Sequence, residues 1–451
     1  FGNLKNISSL AHALGRPLVA AESFTAMDAD ANYRLAPADY KTVGDRAFAH
    51  GLNQVFLHTF VHQPSDAAQP GFTLGFFGSH LNRHETWWPM VNGWTDYLAR
   101  CQVLLRHGRA VADVAYLRKV ESPSQAALWD YGAAGRPHGR DYDFISTADL
   151  AGAEVVDGLL TLRSGARYRL LVLPEQRTMQ TAVAVKLESL VAAGLWLLGP
   201  APSSNPGLAD REAADRELAR VCQGVWGDLD GAARTVRDVG RGKVYWGRPV
   251  DAVLAEAGGA EDFAATASAG EIVSCHRATA DRDVYFVANV DEARTAEFTA
   301  TFRATAGSVT LWDPLTGAIR SVVATRTGAR TVLPLRLAAK ESVFVVFSCA
   351  VAPDAMAAPK FAPQSAVVGP WTLQLASRGQ ERAGGVLAQL ASLSTQPSEA
   401  LRHFGGARPI GRVSWWRQAR GRWGHRPSWN SGVWQSWRRF TSTDGVAASP
   451  G

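Results

Sequence analysis

Four cysteines in 451 residues, with no CxxC pair among them, speak against both a zinc module and a disulfide scaffold. No apolar run approaches the roughly 18 residues that a membrane-crossing helix requires, so no membrane partner is expected. GxGxxG at a strand–helix junction, a Walker sequence and HExxH are all missing, which leaves a nucleotide role and a helical zinc pair unsupported. Residues 401–440 contain nine Arg but no Lys, Asp or Glu. Removing those nine charges from the net +6 leaves −3 for the other 411 residues. The basic character therefore belongs to the tail, and the body offers no electrostatic case for nucleic acid. The N-terminus shows no basic-then-apolar signal segment. The chain starts at Phe1 without a Met, so localisation is not readable there.

What is present is an ordinary globular composition, 46% hydrophobic and 20% charged, long enough for about three domains. Residues 6–15 read as the end of a helix stopped at Gly15. Pro17 to Phe24 is a nearly continuous apolar run, which predicts a strand buried on both faces. Pro37 to His50 reads as helix, and 53–62 as a second strand. Trp94, Tyr97, Leu98, Cys101, Leu104 and Leu105 share one face of a helix ending at Gly108. Alternation of this kind predicts a parallel α/β architecture. Residues 111–265 repeat it, with a strand at Tyr168 to Pro174, a helix stopped at Gly194 and a strand at 195–200, as in a flavodoxin-like or amidotransferase-like layer domain. Short strands and the turn Asp313 to Gly317 make 266–350 a small β-sandwich. Residues 351–366 are an Ala/Pro linker, and 367–451 are an incomplete β-domain with an irregular tail.

Glu22 is the first candidate for chemistry, since a carboxylate at the C-terminal end of a buried parallel strand sits where barrel enzymes keep catalytic groups. The competing reading is a strand-end Glu paired with a nearby cation. His58 and His62 are four apart, about 13 Å along a strand, too far for one ion to bridge. Together with Gln63 they suit hydrogen bonding to substrate, or a structural role. The loop Gly78 to Pro89 sets Arg83, Glu85, Trp87 and Trp88 side by side. Indoles pack on apolar sugar faces while ionic groups bind hydroxyls. Against this, at least one of the two Trp is expected to be a core residue at the start of a helix. Glu85 could supply a second carboxylate, since glycosidases use two.

Several fragments occur in a familiar order: Ala21-Glu22-Ser-Phe-Thr25, Gly44-Asp45-Arg-Ala-Phe48, His58-x3-His62-Gln63-Pro64 and His80-x2-Arg83-x2-Thr86-Trp87-Trp88. Trp94-x2-Tyr97-Leu98-x-Arg100-Cys101 and Val111-Ala-Asp-Val114 follow, then Tyr285 to Asn289 and Leu311 to Gly317. The series resembles the glycoside hydrolase family 106 α-L-rhamnosidases over roughly residues 5–350, and weakly over 367–408. The resemblance implies a (β/α)8 catalytic barrel followed by an α/β layer domain and β-sandwich domains. It also implies hydrolysis of a rhamnose-containing glycan with inversion, calcium near the active site, and a periplasmic or secreted bacterial enzyme. Glu22 matches the motif glutamate and takes the role of general base. Residues 1–110 then supply only the last barrel strands. Six βα units and the general acid are expected upstream of Phe1, and this chain is expected to be inactive by itself. Two alternatives stay open: another barrel glycosidase, such as a β-galactosidase with an amidotransferase-like layer, and a non-catalytic carbohydrate-binding remnant.

Residues 415–437 hold six of the fifteen Trp, intermingled with Arg, Gly and Ser without period. A nucleic-acid surface would use Arg on phosphates and Trp on bases, but no RNP, zinc-finger or OB pattern frames them. A reading-frame shift in a GC-rich gene after about residue 411 fits the abrupt loss of pattern, and a disordered tail is the other alternative.

Overall fold

The computed structural model describes residues 2–27, 33–68, 70–119, 127–266, 270–305, 307–349, 368–377, 380–402 and 410–411. The expected linker at 351–366 and the Arg/Trp-rich tail beyond 411 lie outside these residues. The chain divides into two compact units, one of 1–25, 39–58 and 93–357, the other of 26–38, 59–92 and 358–451.

The first unit begins with helix Gly2–Ala13, ended by Gly15 at φ +67. Strand Ala20–Ser23 then pairs in parallel with Gln54–Leu57, bringing Glu22 opposite Phe56. The first strand alternates between exposed and half-buried residues, which corrects the expectation of burial on both faces. An apolar run states what could be buried, but burial needs neighbours. Among the described residues these two strands pair only with each other. The second strand also stops at Leu57, five residues short of its predicted end. His58 and His62 therefore lie beyond the ladder, and the strand spacing assumed between them does not apply.

Helix Val91–Arg106 buries Trp94, Tyr97, Leu98, Cys101 and Leu105, following the 3.6-residue period. It closes at Gly108, whose φ of +66 suits glycine. A Cβ there would lie 2.3 Å from the Ala278 carbonyl oxygen. That close approach lets Arg109–Ala110 join strand Ile272–Ala278 of the sandwich.

The layer domain has the sheet order Val236–Val239, Gly242–Tyr245, Trp196–Leu198, Leu170–Val172, Val114–Leu117, Tyr142–Ile145. Every pairing is parallel except that of the first strand. Numbered along the chain, the five parallel strands lie 5-4-3-1-2, the flavodoxin-type order. Side chains alternate between two cores. Ala115, Leu117 and Leu171 face the helices Thr181–Ala192 and Arg211–Val225, while Val114, Tyr116, Leu170 and Val172 pack with Tyr131, Val250 and Leu254.

The sandwich packs Phe263–Ala265, Ala296–Phe302, Arg330–Leu337 and Thr325–Thr327 over a six-stranded sheet centred on Arg282–Asn289 and Ser342–Ser348. Strand Phe263–Ala265, assigned from sequence to the layer domain, belongs to this sandwich. Its core holds Tyr285, Phe298, Phe302, Leu333, Val345 and Phe347. In the second unit, Trp371–Ser377 pairs with Gln380–Leu387 and Ile410–Gly411, and Trp371 and Leu373 pack with Leu393.

Ion pairs fasten the first helix to the layer domain. Buried Lys5 reaches Asp141 at 2.8 Å and Asp143 at 3.7 Å, and Asp143 also meets His12 Nδ1 at 2.9 Å. Burial opposes the charge on Lys5, but Asp141 and Asp143 outweigh it and raise its pKa above the ordinary lysine value. Breaking a buried pair leaves an uncompensated charge. Lys5→Met is therefore expected to cost about 3–5 kcal/mol, read as a fall in the denaturant midpoint at unchanged slope. An unchanged midpoint would show that the pair contributes nothing net.

Candidate functional site

In the first unit, Glu22 is exposed at the C-terminal end of its strand, and Thr25 Oγ1 donates to its Oε1 at 2.7 Å. The bend that makes this possible is unusual. Phe24 has φ 62, a costly region for a bulky side chain. Its ring is held 5.3 Å from Tyr40 and 5.5 Å from Trp94, centroid to centroid. Gly44 leaves it room, since a Cβ there would come within 3.2 Å of the ring. Trp94 stacks on Tyr97, whose hydroxyl donates to the buried carboxylate of Asp45, as does Lys41. The motif fragments thus explain one another: Phe24 anchors the bend, Thr25 orients Glu22, and Gly44, Asp45, Trp94 and Tyr97 hold the anchor. His58 follows the second strand directly, half-buried, with Nδ1 buried and unpartnered among the described residues.

The second unit, taken by itself, holds a loop built around Tyr33 and Asp66. The buried Gln63 donates through Nε2 to Phe72 O at 2.9 Å and to Tyr33 Oη at 3.3 Å, and its Oε1 accepts from Phe72 N at 2.9 Å. Its amide therefore clamps the loop, where sequence pointed to substrate binding or a structural role. Asn82 Nδ2 donates to Tyr33 Oη at 3.0 Å. Gly71 is required here, because a Cβ would fall 2.4 Å from Tyr33 Oη and 2.6 Å from His84 Nδ1. Arg83 donates to Asp66 from Nε at 3.0 Å and Nη2 at 2.9 Å, and His84 Nε2 lies 2.9 Å from the same oxygen. These bonds hold the Asp66 carboxyl below its usual range.

Glu85 is the counterpart to Asp66. It is buried at 6% exposure, and burial alone pushes its carboxyl up to about 8. Trp87 is buried too and donates its indole N–H to Leu35 O at 3.2 Å, the packing expected of at least one residue of the tryptophan pair. Trp88 is half-buried, 6.3 Å from the ring of exposed Phe60. His62 is exposed. Sequence reasoning missed Tyr33, Asp66 and Asn82 as organisers of the loop. Nothing in their spacing signals the role, which arises only from the fold of the loop.

Among the described residues no three His, Cys, Asp or Glu side chains converge as a metal group would need. No described helix is long and apolar enough to cross a membrane.

The family model for glycoside hydrolase 106, described as alpha-L-rhamnosidase, matches residues 1–326. A protein of Formosa agariphila named "Putative beta-glucuronidase" is 33% identical over 349 residues, covering 77% of this chain and 28% of the relative. The solved rhamnosidase from Novosphingobium sp. PP1Y superposes with a TM-score of 0.78 at 31% identity, over 90% of this chain and 39% of the other. This chain thus spans well under half the length of either relative. With the match running from the Glu22 strand into the sandwich, the chain belongs to glycoside hydrolase family 106, the alpha-L-rhamnosidases.

Proposed function

We propose that the protein containing this chain hydrolyses terminal α-L-rhamnosides with inversion, Glu22 being the general base. The observation that carries the reading is Glu22 itself, exposed to water at the end of a parallel strand and oriented by Thr25 on a strained, well-anchored bend. An exposed carboxylate suits proton removal from a water attacking C1 opposite the leaving group. A carboxylic acid must then protonate the glycosidic oxygen. The solved rhamnosidase likeness supports rhamnose as the sugar. The glucuronidase name of the other relative supports a different one.

The test is a panel of 4-nitrophenyl α-L-rhamnoside, β-D-glucuronide and β-D-galactoside given to the whole gene product, with the first-formed anomer read by NMR. Turnover of the rhamnoside alone, with the β-anomer released first, is expected. Glucuronide or galactoside cleavage would overturn the substrate, and first release of the α-anomer would overturn inversion.

A further inference from the structure

Helix Pro37–Ala49 of the first unit carries Gly44 in its interior, where alanine would be the better helix former. The room that Gly44 leaves is taken by the tip of the Phe24 ring. From that ring an aromatic seat runs through Tyr40 and Trp94 to Tyr97, which stacks on Trp94 at an interplanar angle of 14°. Tyr97 also belongs to a buried polar cluster that joins this helix to the sandwich. Lys41 and Asp45 lie on the helix, and Ser342 opens the sandwich strand Ser342–Ser348. Lys41 Nζ donates to Asp45 and, at 2.9 Å, to Ser342 Oγ, and it sits 4.3 Å from the centre of the Tyr97 ring. Tyr97 Oη donates to Asp45 and lies 3.0 Å from Ser342 Oγ. A phenol has one proton, and Tyr97 gives it to the carboxylate, so the Ser342 hydroxyl is the donor in that last contact. The four groups therefore form a closed ring of hydrogen bonds. Burial pushes the Asp45 carboxyl up, and Lys41 and Tyr97 oppose that push.

We propose that the β-sandwich helps position the catalytic base: Ser342 and Tyr97, by closing the ring around Asp45, hold the aromatic seat that fixes Phe24 and, through Thr25, the Glu22 carboxylate. The inference rests on the general-base reading of Glu22 above. A bulky residue keeps a φ of 62 only where its surroundings over-determine it, and for Phe24 the surroundings are this seat. Thr25, the donor to Glu22 Oε1, is the next residue along the bend. Without the Ser342 hydroxyl, Lys41 loses an acceptor and Tyr97 loses a donor inside a buried place. The seat then relaxes, and a base displaced by a fraction of an ångström loses its alignment with the attacking water. Ser342 and Tyr97 are positioning residues, since their hydrogen bonds go to the cluster and none goes to Glu22. The sandwich is then a working part of the catalytic centre.

The experiment measures kcat and KM of the whole protein on 4-nitrophenyl α-L-rhamnoside, with denaturant midpoints, for Ser342→Ala, Tyr97→Phe and Gly44→Ala. Each substitution is made alone and in a Glu22→Gln background. Alone, each is expected to lower kcat about tenfold at unchanged KM, since it misplaces the base without touching the sugar. In Gly44→Ala the new methyl would lie 3.2 Å from the Phe24 ring and push it by a few tenths of an ångström. Its midpoint should hold or rise, because alanine is favoured in a helix interior. Added to Glu22→Gln, none of the three should lower kcat further, since the group being positioned is already lost. Glu271→Gln cuts the exposed pair that Arg46 of the same helix makes with the sandwich, and should leave kcat and KM unchanged. Unchanged kcat in Ser342→Ala or Gly44→Ala, with the fold intact, would overturn the proposal. So would a further tenfold loss on top of Glu22→Gln, or an equal loss in Glu271→Gln, which marks a general loosening of the packing. A Glu22→Gln enzyme of wild-type activity would instead defeat the general-base reading, a result read from that variant alone.

Discussion

Glu22→Gln is expected to lower kcat for an α-L-rhamnoside by about 10²–10⁴-fold, the usual contribution of a positioned general base. The exposed side chain makes no core contact. The amide that replaces the carboxylate can still accept the Thr25 hydrogen bond through its own oxygen, so the thermal midpoint should stay within about 1 °C of wild type, as for a surface substitution. KM should change little, because the lost interaction is made by the attacking water in the transition state. Stability and kcat therefore separate cleanly in this variant. Activity near wild type with an intact fold would remove Glu22 from the mechanism. Retained sugar binding with no hydrolysis in either form would favour the non-catalytic remnant.

The second large effect is on stability, and it rises from His276. The ring is buried in strand Ile272–Ala278, with Nδ1 3.0 Å from Asp262 Oδ1 and Nε2 3.0 Å from Asp283 Oδ1. Both nitrogens face carboxylates, which suits the doubly protonated ring, and it stacks on Tyr285 at 3.9 Å. Burial opposes the charge, but the two carboxylates outweigh it and raise the pKa from 6.5 to about 8. Asp262 also accepts from Tyr285 Oη at 3.2 Å and Arg303 Nη2 at 3.0 Å. Arg303 reaches on to Asp113 at 2.7 Å, just before the first strand of the layer domain. The network therefore crosses from sandwich to layer.

A folded pKa raised above the unfolded one gives stability that is fully present below about pH 6.5 and lost as pH climbs through about 8. A shift of that size corresponds to about 2 kcal/mol. Denaturant midpoints measured from pH 6 to 9.5 should fall across that window more steeply in wild type than in His276→Gln, where only the fall that the raised Glu85 carboxyl imposes up to about pH 8 remains. The variant itself should be about 2–4 kcal/mol less stable at pH 6, since Asp262 then keeps only Arg303 and Tyr285 in a buried place. An equal fall in wild type and His276→Gln would show that the ring is neutral and the network static.

Much of the fold is legible along the chain because its signals are local. The 3.6-residue face from Trp94 to Leu105, the stops at Gly15 and Gly108, and the apolar strands at 114–117 and 170–172 depend on neighbours a few residues away. The β-rich composition at 53–62 continues past Leu57, but the strand does not. Thr59 N instead donates to Ser79 O at 2.9 Å, and Leu81 N donates to Thr59 O at 3.2 Å, which ties this segment into the second unit. Strand Phe263–Ala265 falls to the sandwich and not the layer, since a few apolar residues do not say which sheet will accept them.

The sequence by itself determined which residues are available for chemistry: the motif around Glu22, the Arg83 to Trp88 loop, and the family that their order marks. Only the tertiary structure decided what each one does. It put Trp87 in the core and left Trp88 half-exposed, and it spent Arg83 and His84 on Asp66 while leaving Glu85 unpaired among the described residues. It also made a kinked Phe24 the anchor for Glu22. The physical reason is that a residue type sets what a side chain can donate, accept or bury. Partners far away along the chain, from Tyr40 to Trp94 around Phe24 alone, set which of those capacities is used up.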